Sequence, residues 1–131
     1  MTDALNIVIV EDNALIAMDL ADLLIAMGHG VAAIASTEAE AVSAAERCQP
    51  DLMIVDANLA EGSGVAAMHK ILAKRSVPHL YVTGDPSRVR QLAQDAIVVA
   101  KPFKIQDLSE AIAKAQSALS TTTSGIADEI V

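Results

Sequence analysis

Five polar residues stand at the ends of short apolar runs of the sequence: Glu11, Asp12, Asp56, Thr83 and Lys101. Carboxylates that meet in one place repel one another at neutral pH unless a positive charge lies among them. A hard divalent cation such as Mg²⁺ suits oxygen ligands of this kind and commonly shares a phosphate oxygen. A carboxylate nucleophile, a metal ion, a lysine and a hydroxyl donor are together the groups that phosphoryl transfer to an aspartate requires.

The elements that must position these residues follow from the hydrophobic pattern. Apolar, β-branched runs at residues 6–10, 31–35, 52–55, 80–82 and 97–100 alternate with stretches that have apolar residues at helical spacing. The runs 6–10 and 52–55 are too uniformly apolar for a strand with one face in water, so both faces should be buried. Strict alternation predicts an α/β fold of the three-layer, doubly wound (βα)5 type, with a five-stranded parallel sheet.

Local signals mark where several helices begin and end. Thr37 and Glu40 form a capping-box pattern at the start of the second helix. Asp85 followed by Pro86 is typical of an N-cap with proline in the first helical position. Gly28 supplies a stop for the first helix. The polar residues of interest therefore fall where strands end and loops begin.

Parallel open sheets bind ligands outside the carboxyl ends of their strands, next to the point where the strand order reverses. Glu11 and Asp12 end the first predicted strand and Asp56 ends the third, and these two strands should flank that point. Thr83 ends the fourth strand and Lys101 the fifth. We therefore expect all five side chains to meet in one cleft.

This ordered set, with Pro102 directly after Lys101, resembles the response-regulator receiver domains of two-component signalling, the CheY-like family. No single residue of the set identifies this family, but the order of the residues and their positions at strand ends together do. The resemblance covers about residues 5–119 and implies the flavodoxin-like strand order 2-1-3-4-5. It predicts a receiver domain at residues 1–119, followed by a flexible C-terminal tail at residues 120–131.

The resemblance also implies a metal site. Asp12 and Asp56 would bind Mg²⁺ directly, and the backbone carbonyl of Asn58 would be the third protein ligand. Glu11 would act mainly through a metal-bound water. Mn²⁺ could substitute for Mg²⁺, since both are hard cations that accept oxygen ligands.

For the transferred group, the resemblance implies that Asp56 is the phosphoacceptor. Thr83 would hydrogen-bond a phosphoryl oxygen and Lys101 would bridge to it, with a cis peptide bond between Lys101 and Pro102. The sequence departs from the family at Val98, where a Tyr or Phe is usual three residues before the lysine. The usual coupling of the threonine to that ring therefore cannot be carried over to this chain.

The function predicted from these residues is that of a single-domain response regulator. It would accept phosphate on Asp56 from a histidine kinase or a histidine phosphotransfer protein, and signal by changing its binding to a downstream protein target that the sequence does not identify. It would not be an enzyme beyond its own phosphotransfer and autodephosphorylation. The alternative is a pseudo-receiver that binds partner proteins without phosphorylation, which the departure at Val98 supports.

Two other classes of protein fit less well. A haloacid-dehalogenase-like phosphatase would carry its nucleophile on the first strand as Asp-x-Asp, whereas here the acidic pair comes first and Asp56 is followed by Ala57 and Asn58. A flavodoxin-like cofactor binder would need a phosphate loop after the first strand. Glu11 and Asp12 would repel a phosphate at that position.

Charge and composition restrict the partners and the location. The net charge of the 131 residues is −8 with no cluster of Lys and Arg, which argues against direct binding of nucleic acid. No apolar segment is long enough to cross a bilayer, and the N-terminus lacks the features of a signal peptide. The single cysteine, Cys48, fits a reducing compartment. We therefore predict a cytoplasmic protein without membrane insertion.

Overall fold

The computed structural model describes residues 4–130, with side chains described as far as Ser117. The strands are β1 (Asn6–Val10), β2 (Gly30–Ala35), β3 (Leu52–Asp56), β4 (His79–Thr83) and β5 (Val98–Ala100). The helices are α1 (Ala14–Ala26), α2 (Glu38–Cys48), α3 (Gly64–Leu72), α4 (Pro86–Leu92) and α5 (Ile105–Ile130). Strands and helices alternate throughout, as the hydrophobic pattern predicts.

The five strands form one parallel sheet in the order β2-β1-β3-β4-β5, which confirms the predicted fold. Every residue of β3 is buried, as expected for a central strand with helices on both faces. Alternate residues of β1 point to opposite faces, so Ile7 and Ile9 pack towards α1 and α5. Val8 and Val10 pack on the other face with residues of α2 and α3.

The helix starts are capped by short polar side chains. The Oγ1 atom of Thr37 accepts a hydrogen bond from the amide of Glu40 at 3.1 Å, which is half of the predicted capping box. The Glu40 carboxylate accepts from the amide of Ser36 at 3.0 Å, one residue before the position that a complete capping box uses. Asp85 caps α4 as predicted, and Asn13 caps α1, a role that was not predicted from the sequence.

The predicted tail, residues 120–131, lies beyond the described side chains, and Val131 lies outside the described residues altogether. The flexibility of this segment stays a prediction. Within residues 4–130, no helix combines the length and the apolar character that crossing a bilayer requires.

Gln49 ends α2 in the left-handed region, with φ 45° and ψ 61°. Glycine adopts this conformation without the steric cost that an L side chain meets there. We expect Gln49→Gly to raise the free energy of unfolding by about 0.5–1 kcal/mol, or the melting temperature by about 2–4 °C. Thermal unfolding of the two proteins measures this difference. Gln49→Ala is the control, and an equal gain from alanine would contradict the conformational explanation.

Candidate functional site

The ends of β1 and β3 bring two buried carboxylates side by side. Val10 pairs with Val55 in the parallel register, so the next residues of the two strands, Glu11 and Asp56, are neighbours at the edge of the sheet. Glu11 is 4% exposed and Asp56 is 7% exposed. The amide of Glu11 donates to the Ala35 carbonyl at 2.9 Å, which continues the β1–β2 pairing into the site.

Three carboxylates share this place with one ammonium group. One oxygen from each of Glu11, Asp12 and Asp56 lies within 4.8 Å of the other two. The Nζ atom of Lys101 lies 3.1 Å from Oε1 of Glu11 and 3.2 Å from Oδ2 of Asp56. The structure therefore brings together four of the residues predicted from strand ends, although Lys101 is 90 residues from Glu11 in the chain.

The electrostatics of the cluster follow from burial and from these contacts. Burial raises the pKa of Glu11, and the adjacent Asp56 carboxyl raises it further, while the Asn13 amide and Lys101 act in the opposite direction. Burial by itself would lower the pKa of Lys101, but its hydrogen bonds to Glu11 and Asp56 outweigh burial and raise the pKa overall. Lys101 therefore stays charged, and it is one positive charge facing three carboxylates.

The loop between β3 and α3 folds back over the cluster. The amide of Ala60 donates to Oδ2 of Asp12 at 2.8 Å, and the amide of Asn58 donates to Oδ1 of Asp56 at 3.0 Å. Asn58 also forms an isolated antiparallel bridge with Ser63, which closes the loop on itself. These contacts place the main chain of Asn58 beside the acidic cluster, where its carbonyl is predicted to bind the metal.

Gly64, the first residue of α3, packs directly against the backbone of Asp56. Its amide donates to the Ala57 carbonyl at 3.0 Å. A Cβ atom at this position would lie 2.0 Å from the Asp56 carbonyl oxygen and 2.7 Å from Cγ1 of Val55. From the sequence, Gly64 is predicted only to end the loop after Asp56, whereas the structure places it at the start of α3 with a packing role that this prediction missed.

Thr83 and Lys101 occupy adjacent strand ends. The Lys101 amide donates to the Thr83 carbonyl at 2.8 Å, and the Lys101–Pro102 peptide bond is cis, as the resemblance implies. Thr83 is 1% exposed, and its Oγ1 atom accepts a hydrogen bond from the Asp85 amide at 3.0 Å. The hydroxyl proton is not used in that contact and stays available for donation. Among the described residues, no side-chain hydrogen bond joins Thr83 to the three acids or to Lys101, so its place in the cleft stays a prediction.

The position that usually holds an aromatic ring is occupied by Val98, which pairs with Tyr81 on β4. Tyr81 is 2% exposed, and burial raises its pKa to about 12. Its ring packs edge-on against His79 with the ring centroids 5.7 Å apart. The aromatic group next to position 98 is therefore part of the core and belongs to the neighbouring strand.

The donor set fits a hard divalent cation. All the side-chain ligands available from Glu11, Asp12 and Asp56 are carboxylate oxygens. Mg²⁺ binds such groups and usually keeps several waters. Asp12 is exposed, so the cluster is open to solvent and to an incoming ligand on one side.

Because the excess negative charge is present before any cation binds, Mg²⁺ should stabilise the folded chain. At ten to a hundred times its Kd, we expect a gain of about 1.4–2.7 kcal/mol, or about 5–10 °C in melting temperature. Thermal unfolding with EDTA and with increasing MgCl₂ measures this gain. Asp12→Asn should abolish most of the response, whereas Asp22→Asn, at an exposed position of α1, should leave it intact. An equal response of both variants would contradict binding at this cluster.

Comparison with known sequences identifies a protein family and several relatives of this chain. The sequence model of the response regulator receiver domain matches residues 7–113. The Phyllosphere-induced regulator PhyR of Methylorubrum extorquens is 39% identical over 116 residues, which are 86% of this chain and 43% of PhyR. The transcriptional regulatory protein PdtaR of Mycobacterium tuberculosis is 39% identical over 116 residues, 86% of this chain and 57% of PdtaR. The chain thus spans about half the length of these curated relatives.

Solved structures give the same result. The solution NMR structure of the PhyR receiver domain from Erythrobacter litoralis matches with a TM-score of 0.78 and 33% sequence identity, covering 86% of this chain and 89% of that domain. The observed strand order is the one that the resemblance to receivers implies. The chain belongs to the response regulator receiver domain family of two-component signalling.

Proposed function

We propose that Asp56 of this receiver accepts a phosphoryl group from a phosphohistidine donor in a reaction that requires Mg²⁺. The observation that carries the proposal is the position of Lys101, whose Nζ atom contacts both Asp56 Oδ2 at 3.2 Å and Glu11 Oε1 at 3.1 Å. This arrangement puts a positive charge in contact with both the carboxylate nucleophile and Glu11, with the Asp12 carboxylate close to both acids. Such preorganised charges are what phosphoryl transfer uses.

The chemical step is an attack by a carboxylate oxygen of Asp56 on the phosphorus of the donor. The new O–P bond forms as the P–N bond breaks, and the electron pair of the P–N bond stays with the imidazole of the departing histidine. Lys101 is placed to balance the negative charge of the phosphoryl oxygens, since it already contacts the nucleophile. The hydroxyl of Thr83 would be a second donor to the phosphoryl oxygens, since its proton is not used in the contact with the Asp85 amide.

The metal would be held by the carboxylates of Asp12 and Asp56 and by the carbonyl of Asn58, with Glu11 acting through a water. When bound, Mg²⁺ supplies neutralising charge for the phosphoryl oxygens. The hydrogen bond between Asp12 and the Ala60 amide keeps this carboxylate next to the loop that carries Asn58. Mn²⁺ should replace Mg²⁺ with the same ligands.

The partners proposed for this receiver are proteins. The donor would be a histidine kinase or a histidine phosphotransfer protein, and the output a change in binding to a downstream protein. Transfer to Asp56 and later hydrolysis of the acyl phosphate would both be catalysed by the receiver itself, which acts as a signalling module with no separate substrate.

A second candidate is a pseudo-receiver that binds its partners without phosphorylation. Val98 favours this candidate, because the aromatic ring that usually accompanies the threonine is replaced by a small aliphatic side chain. The retained acidic cluster and Lys101 contacts favour the first candidate. The two differ in one measurable property, the covalent uptake of phosphate.

The test is incubation of the whole chain with acetyl phosphate and MgCl₂, followed by intact-mass analysis. The proposal expects a mass increase of one phosphoryl group that disappears when EDTA replaces MgCl₂. A chain that binds Mg²⁺ but never gains this mass, with acetyl phosphate or with a phosphorylated histidine phosphotransfer protein, would support the pseudo-receiver instead.

A further inference from the structure

Glu38, the first residue of α2, contacts the loop between β3 and α3 on the side away from the acidic cluster. Its Oε1 atom accepts a hydrogen bond from the amide of Ser63 at 3.0 Å, and its own amide donates to the carbonyl of Glu61 at 3.3 Å. The other carboxylate oxygen, Oε2, forms an ion pair with Lys70 on α3. One side chain thus connects the start of α2, the loop and α3.

The conformation of the loop leaves room for Glu38. Gly62 has a φ of +90°, in the region that favours glycine, and a Cβ atom there would lie 2.6 Å from Cβ of Glu38. The backbone of the loop can approach Glu38 this closely only because Gly62 has no side chain. Close approach and hydrogen bonding therefore act at the same point of the loop.

The same loop contacts the acidic cluster at its other end. The Ala60 amide donates to Asp12, and the Asn58 amide donates to Asp56. The bridge between Asn58 and Ser63 connects this end of the loop to the residue that Glu38 binds. A displacement of Ser63 would therefore be transmitted to Asn58, whose main chain lies beside the acidic cluster.

We propose that Glu38 is a positioning residue for the reaction at Asp56. By accepting the hydrogen bond from Ser63, it holds the loop so that Ala60 can bind Asp12 and the carbonyl of Asn58 can reach the metal. The expected effect on activity rests on the phosphotransfer function proposed above. Groups that orient metal ligands from outside commonly change metal affinity by about tenfold or more when removed.

A purely structural role is the alternative, since Glu38 also links α2 to α3. The chain offers a matched control for that role. Glu46 on α2 forms an ion pair at 3.3 Å with Lys74, in the turn directly after α3, and among the described residues it has no hydrogen bond or ion pair with the loop. A general effect of the α2–α3 contact should appear in both Glu38 and Glu46 variants, whereas positioning of the loop should appear only in Glu38 variants.

The experiment compares the whole chain with Glu38→Ala and Glu46→Ala. Amide hydrogen exchange by NMR reads the loop directly at Ala60, which Glu38 does not touch. We expect Glu38→Ala to speed exchange of the Ala60 amide about tenfold, and to raise the Mg²⁺ concentration for half-maximal phosphorylation by acetyl phosphate about three- to tenfold. The Glu46→Ala variant should match the parent in both measurements.

Two further Glu38 variants separate the contacts and protect the test against a folding failure. Glu38→Gln keeps an oxygen that can accept from Ser63 but loses the ion pair with Lys70, so it should stay within about twofold of the parent. Glu38→Asp keeps an acid in the first turn of α2 but is shorter by one methylene. It should therefore reproduce the alanine defect even if Glu38→Ala does not fold.

Parent-like exchange at Ala60 in both Glu38→Ala and Glu38→Asp would overturn the proposal, and so would an equal defect in Glu46→Ala. If Glu38→Gln changed the exchange at Ala60 and the Mg²⁺ requirement as much as Glu38→Asp, the effect would be assigned to the ion pair with Lys70. That result would likewise overturn the proposal. If the parent gains no phosphate at all, the proposed function fails, and exchange at Ala60 still decides whether Glu38 positions the loop.

Discussion

Asp56→Asn is expected to abolish phosphorylation of this receiver by acetyl phosphate, with a loss of at least about 10³-fold in rate. An amide oxygen is a far weaker nucleophile than a carboxylate oxygen, and no acyl phosphate can form on asparagine. The substitution changes almost nothing else in shape. The amide oxygen can still accept from Asn58, as Oδ1 of Asp56 does at 3.0 Å.

Stability should change much less than activity. Asp56→Asn removes one of three clustered carboxylates, which reduces the repulsion that Asp56 exerts on Glu11, but it also removes the ion pair of Asp56 with Lys101. Because these two effects oppose each other, thermal unfolding in EDTA should show a variant that is still folded at room temperature. Unfolding of the variant could not then explain the absence of phosphorylation.

Intact-mass analysis and peptide mapping measure the expected loss. Asp95→Asn is the matched control, because Asp95 is exposed and, among the described residues, forms no side-chain hydrogen bond or ion pair. The control should take up phosphate like the parent. Uptake by Asp56→Asn at the parental rate would refute Asp56 as the acceptor and direct attention to Asp12.

The fold and the composition of the site could be predicted because both depend on short-range patterns. Buried parallel strands are apolar runs, and the residue that ends such a run lies at the edge of the sheet. Asp56, the last residue of β3, and Lys101, directly after β5, are of this kind. Their convergence follows from the strand order, since neighbouring parallel strands end at the same edge.

The contacts that hold the site in place could not be predicted in the same way. Asp12 meets the Ala60 amide across 48 residues, and Glu38 meets the Ser63 amide across 25 residues. These contacts use backbone amides, which every residue except proline has, so no residue type in the sequence marks the partner. Only the path of the loop in three dimensions decides which amide a carboxylate can reach.

The packing contact of Gly64 likewise could not be predicted from the sequence. In the sequence, the glycine between Ser63 and Val65 is typical of a loop residue, and its neighbours do not show which part of the fold packs against it. In the fold, the carbonyl of Asp56 occupies the space that a side chain would need. The requirement for glycine therefore comes from β3, a different element of the fold, and the residues around Gly64 in the sequence do not reveal it.

Gly64→Ala is accordingly expected to be strongly destabilising, although it adds only one methyl group. The new Cβ atom would lie 2.0 Å from the Asp56 carbonyl oxygen and 2.7 Å from Val55 Cγ1, far inside contact distance. Both belong to the central, fully buried strand β3, which cannot move aside without breaking its pairing with β1 and β4. We expect a loss of about 3 kcal/mol or more, or about 10 °C or more in melting temperature.

Gly84→Ala is the matched control, because nothing lies within 4 Å of a Cβ atom at Gly84 and its φ is outside the left-handed region. Thermal unfolding in EDTA should place Gly84→Ala within about 0.5 kcal/mol of the parent. If Gly64→Ala unfolds at the same temperature as Gly84→Ala, α3 does not pack against Asp56 as described. If it unfolds earlier but a folded fraction survives at low temperature, that fraction should also need more Mg²⁺ for phosphorylation. The methyl group that strains the fold would press on the backbone of Asp56, the proposed phosphoacceptor, so the two defects would have one cause.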